Sequence, residues 1–370
     1  MTSVTYSAIE GGYGTGNINL SADNDGTSTG VSYPKFTAHL EGDWTLKEGS
    51  ACVDKGINEI ANVTLPETDL AGNDRIYNDK IDIGAYESAF KGSSITPGAN
   101  NVIYVATEER GEADGSSWEN AISNLQMAIN VAAANNNKPQ VWVEAGTYGN
   151  EEDGDNYIII AEGVEIYGGF AGTETSIEDR DLENNKSILD GQNTQRVLFQ
   201  NEPFADGETT TWDGFVIRNG YLNQKDFHSY NSVYCKFNGF NGGMGIYHLV
   251  GAGAVVLDNT TLKNITFENN RIDTDASIGS YVDWMMASTL AMVGATADNI
   301  NISNAVAYTT DRNNVKSSYL YVANSTITNS TFKNNVGKIQ TCSSTLDYCV
   351  IEGNRTFEEM PDMENNSVTI

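Results

Sequence analysis

Positive charge is scarce in this chain. Its 370 residues carry 21 Lys and Arg against 50 Asp and Glu, a formal charge of −29. A nucleic-acid surface needs clustered cations to replace phosphate counterions, so nucleic acid is excluded as a partner. Docking on anionic lipid is excluded for the same reason. Proline is held to 6 residues, cysteine to 4 and histidine to 3. The cysteines, at positions 52, 235, 342 and 349, make no CxxC and no metal spacing. They read as small buried thiols, with a Cys342–Cys349 disulfide as the alternative. No apolar run reaches the ~18 residues a membrane span needs. The longest, Trp284 to Ala297, is interrupted by Ser288, Thr289 and Gly294, so no membrane insertion is expected of these residues. The segment Met1–Tyr6 has neither the basic nor the apolar region of a secretory leader.

Asparagine and glycine are abundant instead, at 42 and 36 residues. With 39% hydrophobic residues and 18 Tyr, the chain has enough apolar surface to fold and is no disordered polyelectrolyte. The composition is that of turn-rich, mostly β structure.

A short phrase recurs imperfectly. It runs Asp213-Gly-Phe-Val-Ile-Arg-Asn-Gly220, Lys263-Asn-Ile-Thr-Phe-Glu-Asn-Asn270 and Asp298-Asn-Ile-Asn-Ile-Ser-Asn304. It returns at Thr328-Asn-Ser-Thr-Phe-Lys-Asn-Asn335 and Asp347-Tyr-Cys-Val-Ile-Glu-Gly-Asn354, and Thr5-Tyr-Ser-Ala-Ile-Glu-Gly-Gly12 is an early copy. Successive starts in the main part are 50, 35, 30 and 19 residues apart, which suits coils of about 20 residues with inserted loops. Short alternating strands ending in Asn or Gly at that period indicate a parallel β-solenoid, because one coil cannot bury its own inward face. Stacking would place Ile217, Phe267, Ile302, Phe332 and Ile351 in one core column. Asn219, Asn269, Asn304 and Asn334 would turn the corners, since Asn tolerates the left-handed conformation and its amide can bond along the stack. A β-sandwich is the competing architecture.

One helix is expected. From Trp118 to Ala134, Ile122, Leu125, Ile129 and Ala132 fall at helical spacing, with Ser116 or Ser117 as N-cap and Asn135–Asn137 as the stop. A terminal coil exposes unpaired backbone and core, and this amphipathic helix is the expected cap. Residues 93–101, rich in Gly, Ser and Pro, form a linker between 1–92 and 102–370.

Ser50-Ala-Cys-Val-Asp-Lys-Gly56, Asp69-Leu-Ala-Gly-Asn-Asp-Arg-Ile76 and Ile81-Asp-Ile-Gly-Ala-Tyr-Glu87 closely resemble the closing segment of the choice-of-anchor Q surface proteins of Bacteroidetes. Those proteins are right-handed parallel β-helices whose closing coils run SPCIDAG, DLDGNPRI and VDIGAYE; Ala51 and Lys55 depart from that pattern. Residues 102–270 resemble the opening of the same architecture through Asp114-Gly-Ser-Ser-Trp118, Leu125-Gln126, Val141-Trp-Val143 and Ala145-Gly-Thr-Tyr148. The likeness continues through Gly163-Val-Glu-Ile-Tyr-Gly-Gly-Phe170, Gly172-Thr-Glu-Thr175, Arg180-Asp181 and Ile188-Leu-Asp-Gly191. Gly-Gly-Phe, with Gly242 to Ile246, is also similar to polymorphic outer-membrane-type β-helix repeats. The resemblance implies an all-β, single-stranded, right-handed parallel β-helix from a secreted or cell-surface protein. It further implies that 1–92 are closing coils of one β-helix and that 102–370 are a second, with its capping helix but without its own closing segment. The chain is then expected to be a piece of a tandem β-helix protein, or a permuted closed unit.

Chemistry is sparse. His39, His228 and His248 are scattered away from any nucleophile motif, and no Walker A, HExxH or EF-hand pattern occurs. Asp23–Gly26 and Glu151–Asn156 gather oxygen ligands of the kind Ca²⁺ takes, yet lack the twelve-residue loop with its terminal Glu. No metal site or cofactor is therefore assigned, with Ca²⁺ the one ion these turns would suit. Glycoside hydrolysis needs two carboxylates facing one another, for which Asp213, Asp258, Asp298 and Asp347 are the candidates. Lys333, Arg218 and Arg271 are the candidate bases or substrate clamps of a lyase. Trp44, Trp212 and Trp284 are candidate sugar-stacking surfaces. The Asn-x-Ser/Thr sequons at 259, 264, 324 and 329 follow from the corner pattern and are not taken as glycosylation sites.

The expectation is a non-catalytic, adhesin-like scaffold, extracellular or on the outer cell surface, that binds a glycan or protein ligand through its inserts at 221–250 and 271–298. A polysaccharide lyase or glycoside hydrolase is the alternative. A structural filament is the third reading, with Ser367–Ile370 stacking head-to-tail on Val4–Tyr6 of the next copy.

Overall fold

The computed structural model describes residues 42–46, 50, 52–59, 64–77, 80–90, 95–149, 157–200, 204, 207–222, 251–272, 287–305 and 318–354. It gives the backbone alone for strand residues 8–9, 18–19, 36–38, 156, 223, 233–235, 247–250, 273, 286, 306–307 and 367–368. The chain divides into two units, Met1–Thr96 and Pro97–Ile370.

The second unit is a parallel β-helix. Its coils visit three sheets in turn. Sheet A has nine strands, from Val102–Val105 and Gln140–Glu144 through Thr210–Asp213, Thr260–Lys263, Thr296–Asp298 and Thr326–Thr328 to Thr345–Asp347 and Ser367–Val368. Sheet B has seven, from Gly146–Tyr148 through Phe215–Arg218, Thr266–Glu268, Asn301–Ser303 and Thr331–Lys333 to Val350–Glu352. Sheet C contains Asn156–Ile159, Arg196–Phe199, Ala254–Val256, Met286–Val293, Ser318–Ala323 and Lys338–Cys342.

Register follows the side-chain alternation. Ile217 pairs with Phe267, Phe267 with Ile302, Ile302 with Phe332 and Phe332 with Ile351, the column expected from the repeat. The first four of these are buried, and each fully buried aliphatic or aromatic side chain is worth about 1.5–3 kcal/mol. From Thr260–Lys263 and Thr266–Glu268 onward, sheets A and B bury one face and show the other to solvent, as in Thr331-Phe332-Lys333, whereas the earlier Val102–Val105 and Phe215–Ile217 are buried throughout. Sheet C differs: in Arg196–Phe199, Ala254–Val256 and Ser318–Ala323 every residue is buried, so both faces are covered.

The expected corner residues do turn the chain at the ends of the sheet B strands. Asn219, Asn269, Asn304 and Asn334 have φ of 54, 53, 56 and 55°. The Asn219 amide bonds along the stack as expected, its Nδ2 donating to Asp190, but an inward amide ladder also runs up the coils. That ladder is built by the next residue in the coil. Asn335 Oδ1 accepts from Ala305 N while its Nδ2 donates to Ile302 O, and Asn270 does the same for Gly220 N and Ile217 O. Asn354 continues the series with Asn335 N and Phe332 O. The left-handed residue lifts its own side chain outward, which leaves the following side chain to point in.

The helix is shorter than its apolar spacing implies. A 3-10 turn spans Trp118–Asn120, and the α-helix proper is Leu125–Ala134, N-capped by Asn124 Oδ1, which accepts from Met127 N. Ser116 and Ser117 do not cap it. Ile122, counted on the helical face, instead closes the free edge of the first strand: Ile122 N donates to Tyr104 O and Ala106 N donates to Ile122 O. Gly115 O accepts from Tyr104 N on the same edge. The helix closes sheet C differently, through Gln126, whose Oε1 accepts from Ile159 N and whose Nε2 donates to Ile159 O. Trp118 leaves the helix to join Tyr104, Trp142 and Phe170 in one buried cluster, and its Nε1 donates to Glu174 O. Gly169, at φ +97°, lies where a Cβ would meet Leu182, so a side chain there would push the 171–186 loop off this cluster.

The first unit has a short antiparallel pair, Phe36–Ala38 with Asp43–Leu46, and a small core of Leu46, Cys52 and Val53.

Candidate binding face

Sheet A presents two outward columns. In the first, Thr211, Thr261, Thr296, Thr326 and Thr345 stand in register over five coils. In the second, Asp213, itself buried against Arg180, is followed by Lys263, Asp298, Thr328 and Asp347. Sheet B adds Thr266, Asn301, Thr331 and Val350, continuing the register of the buried Val216, and beside them Arg218, Glu268, Ser303, Lys333 and Glu352. Between the two sheets runs a line of left-handed corner residues: Gly214, Asn264, Asn299, Asn329 and Tyr348. Sequence spacing alone did not reveal this line or the threonine column, because inserts of unequal length hide the period.

The four candidate carboxylates do not form a facing pair. Asp213, Asp298 and Asp347 share one column but sit on alternate coils, about 10 Å apart at the ~4.8 Å strand spacing, with Lys263 and Thr328 between them. Asp258 is an exposed corner residue beyond sheet C. Two of the acids are committed to neighbours. Asp213 Oδ2 takes Arg180 at 3.2 Å, and its Oδ1 accepts from Asn264 Nδ2 at 2.7 Å. Asp298 Oδ1 accepts from Thr328 Oγ1 at 2.6 Å and from Asn329 Nδ2 at 2.7 Å, and these bonds hold its carboxyl below the ordinary range. A general acid needs the opposite shift. Asp190 behaves like Asp298: burial acts to raise it, but hydrogen bonds from Asn219, Gln192 and Arg218 outweigh that and lower it.

The candidate cations are likewise engaged. Arg218 Nε lies 2.7 Å from Asp190 Oδ2, Lys333 Nζ lies 3.0 Å from Glu352 Oε2, and the Arg271 guanidinium sits 4.9 Å over the Tyr221 ring. Trp212 is fully buried and stacks on nothing from solvent, whereas Trp44, in the first unit, is 48% exposed. Trp284, Asp23–Gly26 and most of Glu151–Asn156 lie outside the described residues, as do His39 and His228. Cys52, Cys342 and Cys349 are free thiols. Burial pushes the Cys52 thiol up to about 11 and raises Cys349 too, so the thiolate is disfavoured at both.

The first unit holds an acidic cluster the sequence did not single out. Asp54, Asp82 and Glu87 each bring an oxygen within 4.8 Å of the others. Their environment is that of a clamp. Asp82 accepts from Asp54 N and Ser88 N; Glu87 accepts from Tyr77 N, Asp82 N and Arg75 at 2.7 Å. Asp69 accepts from Ala71 N, Asn73 N and Glu87 N. Backbone and guanidinium donors thus engage the Asp82 and Glu87 oxygens a cation would use, and they tie together the three phrases at 50–56, 69–76 and 81–87. Burial raises the Glu87 carboxyl, reinforced by Asp82, against the pull of its backbone donors and Arg75.

Compared with known proteins, the chain matches no family model, no curated protein and no solved structure. No helix among the described residues is long and apolar enough to cross a membrane.

Proposed function

We propose that this chain belongs to a secreted or cell-surface protein and works as a rigid, non-catalytic, adhesin-like scaffold. It presents the outer faces of sheets A and B to a glycan or protein ligand. The observation that carries this reading is the five-coil, in-register array of Thr, Asn, Asp and Lys side chains on those faces. Its acids Asp213 and Asp298 are bound to neighbours rather than set across from one another. Stacked coils make such a face long and stiff at little entropic cost to binding. The resemblance of residues 5–90 and 102–270 to Bacteroidetes β-helix surface proteins supports the extracellular setting. A glycan array run beside a polysaccharide-degradation screen tests it. Retention of ligand without new reducing or unsaturated ends is expected, and release of such ends would overturn the non-catalytic reading.

A further inference from the structure

We propose that the corner at Tyr348 is the glycan-contacting subsite of this face, a platform for a neutral sugar ring that carries adjacent hydroxyls. The inference rests on the glycan-binding reading above and narrows it to a place and a ligand class.

In four coils the left-handed corner between sheets A and B is filled by Gly214, Asn264, Asn299 and Asn329, the residue types that tolerate it. In the fifth coil the position holds Tyr348, at φ 54°. A bulky side chain in this conformation is strained, and such strain gathers at ligand-contact positions. Little of the Tyr348 side chain is buried against the fold: it is 72% exposed. Its ring is the most exposed large hydrophobic group described in this unit, and Val350, two residues on, is 48% exposed beside it.

The adjoining carboxylate points the same way. Asp213 and Asp298 spend their oxygens on Arg180, Asn264, Thr328 and Asn329. Asp347, in the same column and next to Tyr348, accepts no side-chain hydrogen bond among the described residues. An aromatic face receives the C–H face of a pyranose, and an ionised carboxylate accepts two hydroxyl donors at once. A chain lying along the solenoid from Tyr348 then meets Asn329, Asn299 and Asn264 at ~4.8 Å steps. Asp347 and the chain's charge of −29 repel uronates and sulfated sugars, so the ligand is neutral.

The test is affinity electrophoresis of the full chain against a mannan, a xylan, a β-glucan and polygalacturonate, with variants Tyr348→Asn, Tyr348→Phe and Asp347→Asn. The intact chain is expected to bind at least one neutral polymer. Tyr348→Asn should weaken that at least tenfold while its melting temperature holds or rises, because Asn fits the corner. Tyr348→Phe should stay within about twofold, and Asp347→Asn should weaken binding severalfold. A neutral polymer bound equally by Tyr348→Asn overturns the subsite and leaves the binding face standing. Retention of polygalacturonate alone overturns the ligand class. If the intact chain binds none of the four, the glycan reading itself falls.

Discussion

Asn334 and Asn335 are adjacent and identical in type, yet the fold gives them opposite duties. Asn334 supplies a backbone conformation, with φ of 55°, and its side chain faces out. Asn335 is fully buried and satisfies Ala305 N and Ile302 O through its amide. Replacing Asn334 by Gly keeps the left-handed corner open and should change stability by only a few tenths of a kcal/mol. Asn335→Ala strands a buried donor and acceptor, so a loss of about 2–3 kcal/mol in denaturant unfolding is expected. A loss at Asn335→Ala as small as that at Asn334→Gly would show that the amide ladder contributes nothing. The doublet was visible in the sequence as a corner, but its division of labour was not. Period and residue type locate a turn; only the stack shows which side chain points inward. The same limit hid Tyr348, which looks like any surface tyrosine until its coil is aligned with the Asn and Gly of the others.

At the scale of elements, the apolar column of sheet B was legible because Ile217, Phe267, Ile302, Phe332 and Ile351 recur in matching phrases. The extent of the helix was not. Trp118, Ile122 and Leu125 continue a helical spacing by coincidence: the first packs into an aromatic cluster, the second closes a strand edge, and only the third begins the helix. An unpaired edge is a strong enough demand to override local propensity. Gln126 makes the point testable. Its amide stands in for a neighbouring strand's peptide group against Ile159. Gln126→Leu keeps the helix and its volume but leaves Ile159 N and O open. A loss of about 1–3 kcal/mol is expected, together with concentration-dependent self-association in size-exclusion chromatography. An unchanged, monodisperse variant would mean that the helix shields this edge without the amide.

At the scale of the whole molecule, charge and architecture act against one another. In the β-helix the exposed acids stand on corners and outer columns, such as Asp258 and Glu352, and the chain's net charge of −29 repels itself. Its pI is ≈ 4.2, so acidification first relieves that repulsion. Glu87 adds to the gain: its raised carboxyl contributes stability below the ordinary value of 4.5, lost as pH rises through the folded value. Asp69, Asp190 and Asp298 work in the opposite sense. Their lowered carboxyls contribute stability above the ordinary value of 3.8, lost as pH falls through the folded values. For Asp69, backbone and side-chain donors from Glu87, Asn73 and Ala71 outweigh the burial that would raise it. The melting temperature should therefore climb from pH 7 to about pH 4.5 and fall steeply below about pH 3.5. Because the first limb is self-repulsion, raising NaCl from about 0.01 to 0.3 M should lift the melting temperature at pH 7 and do little at pH 4.5. Thermal scans over that grid check both limbs. A steady decline from pH 7 downward, indifferent to salt, would mean that the local hydrogen-bonded carboxylates dominate and that the acidic surface is neutral to the stability of the fold.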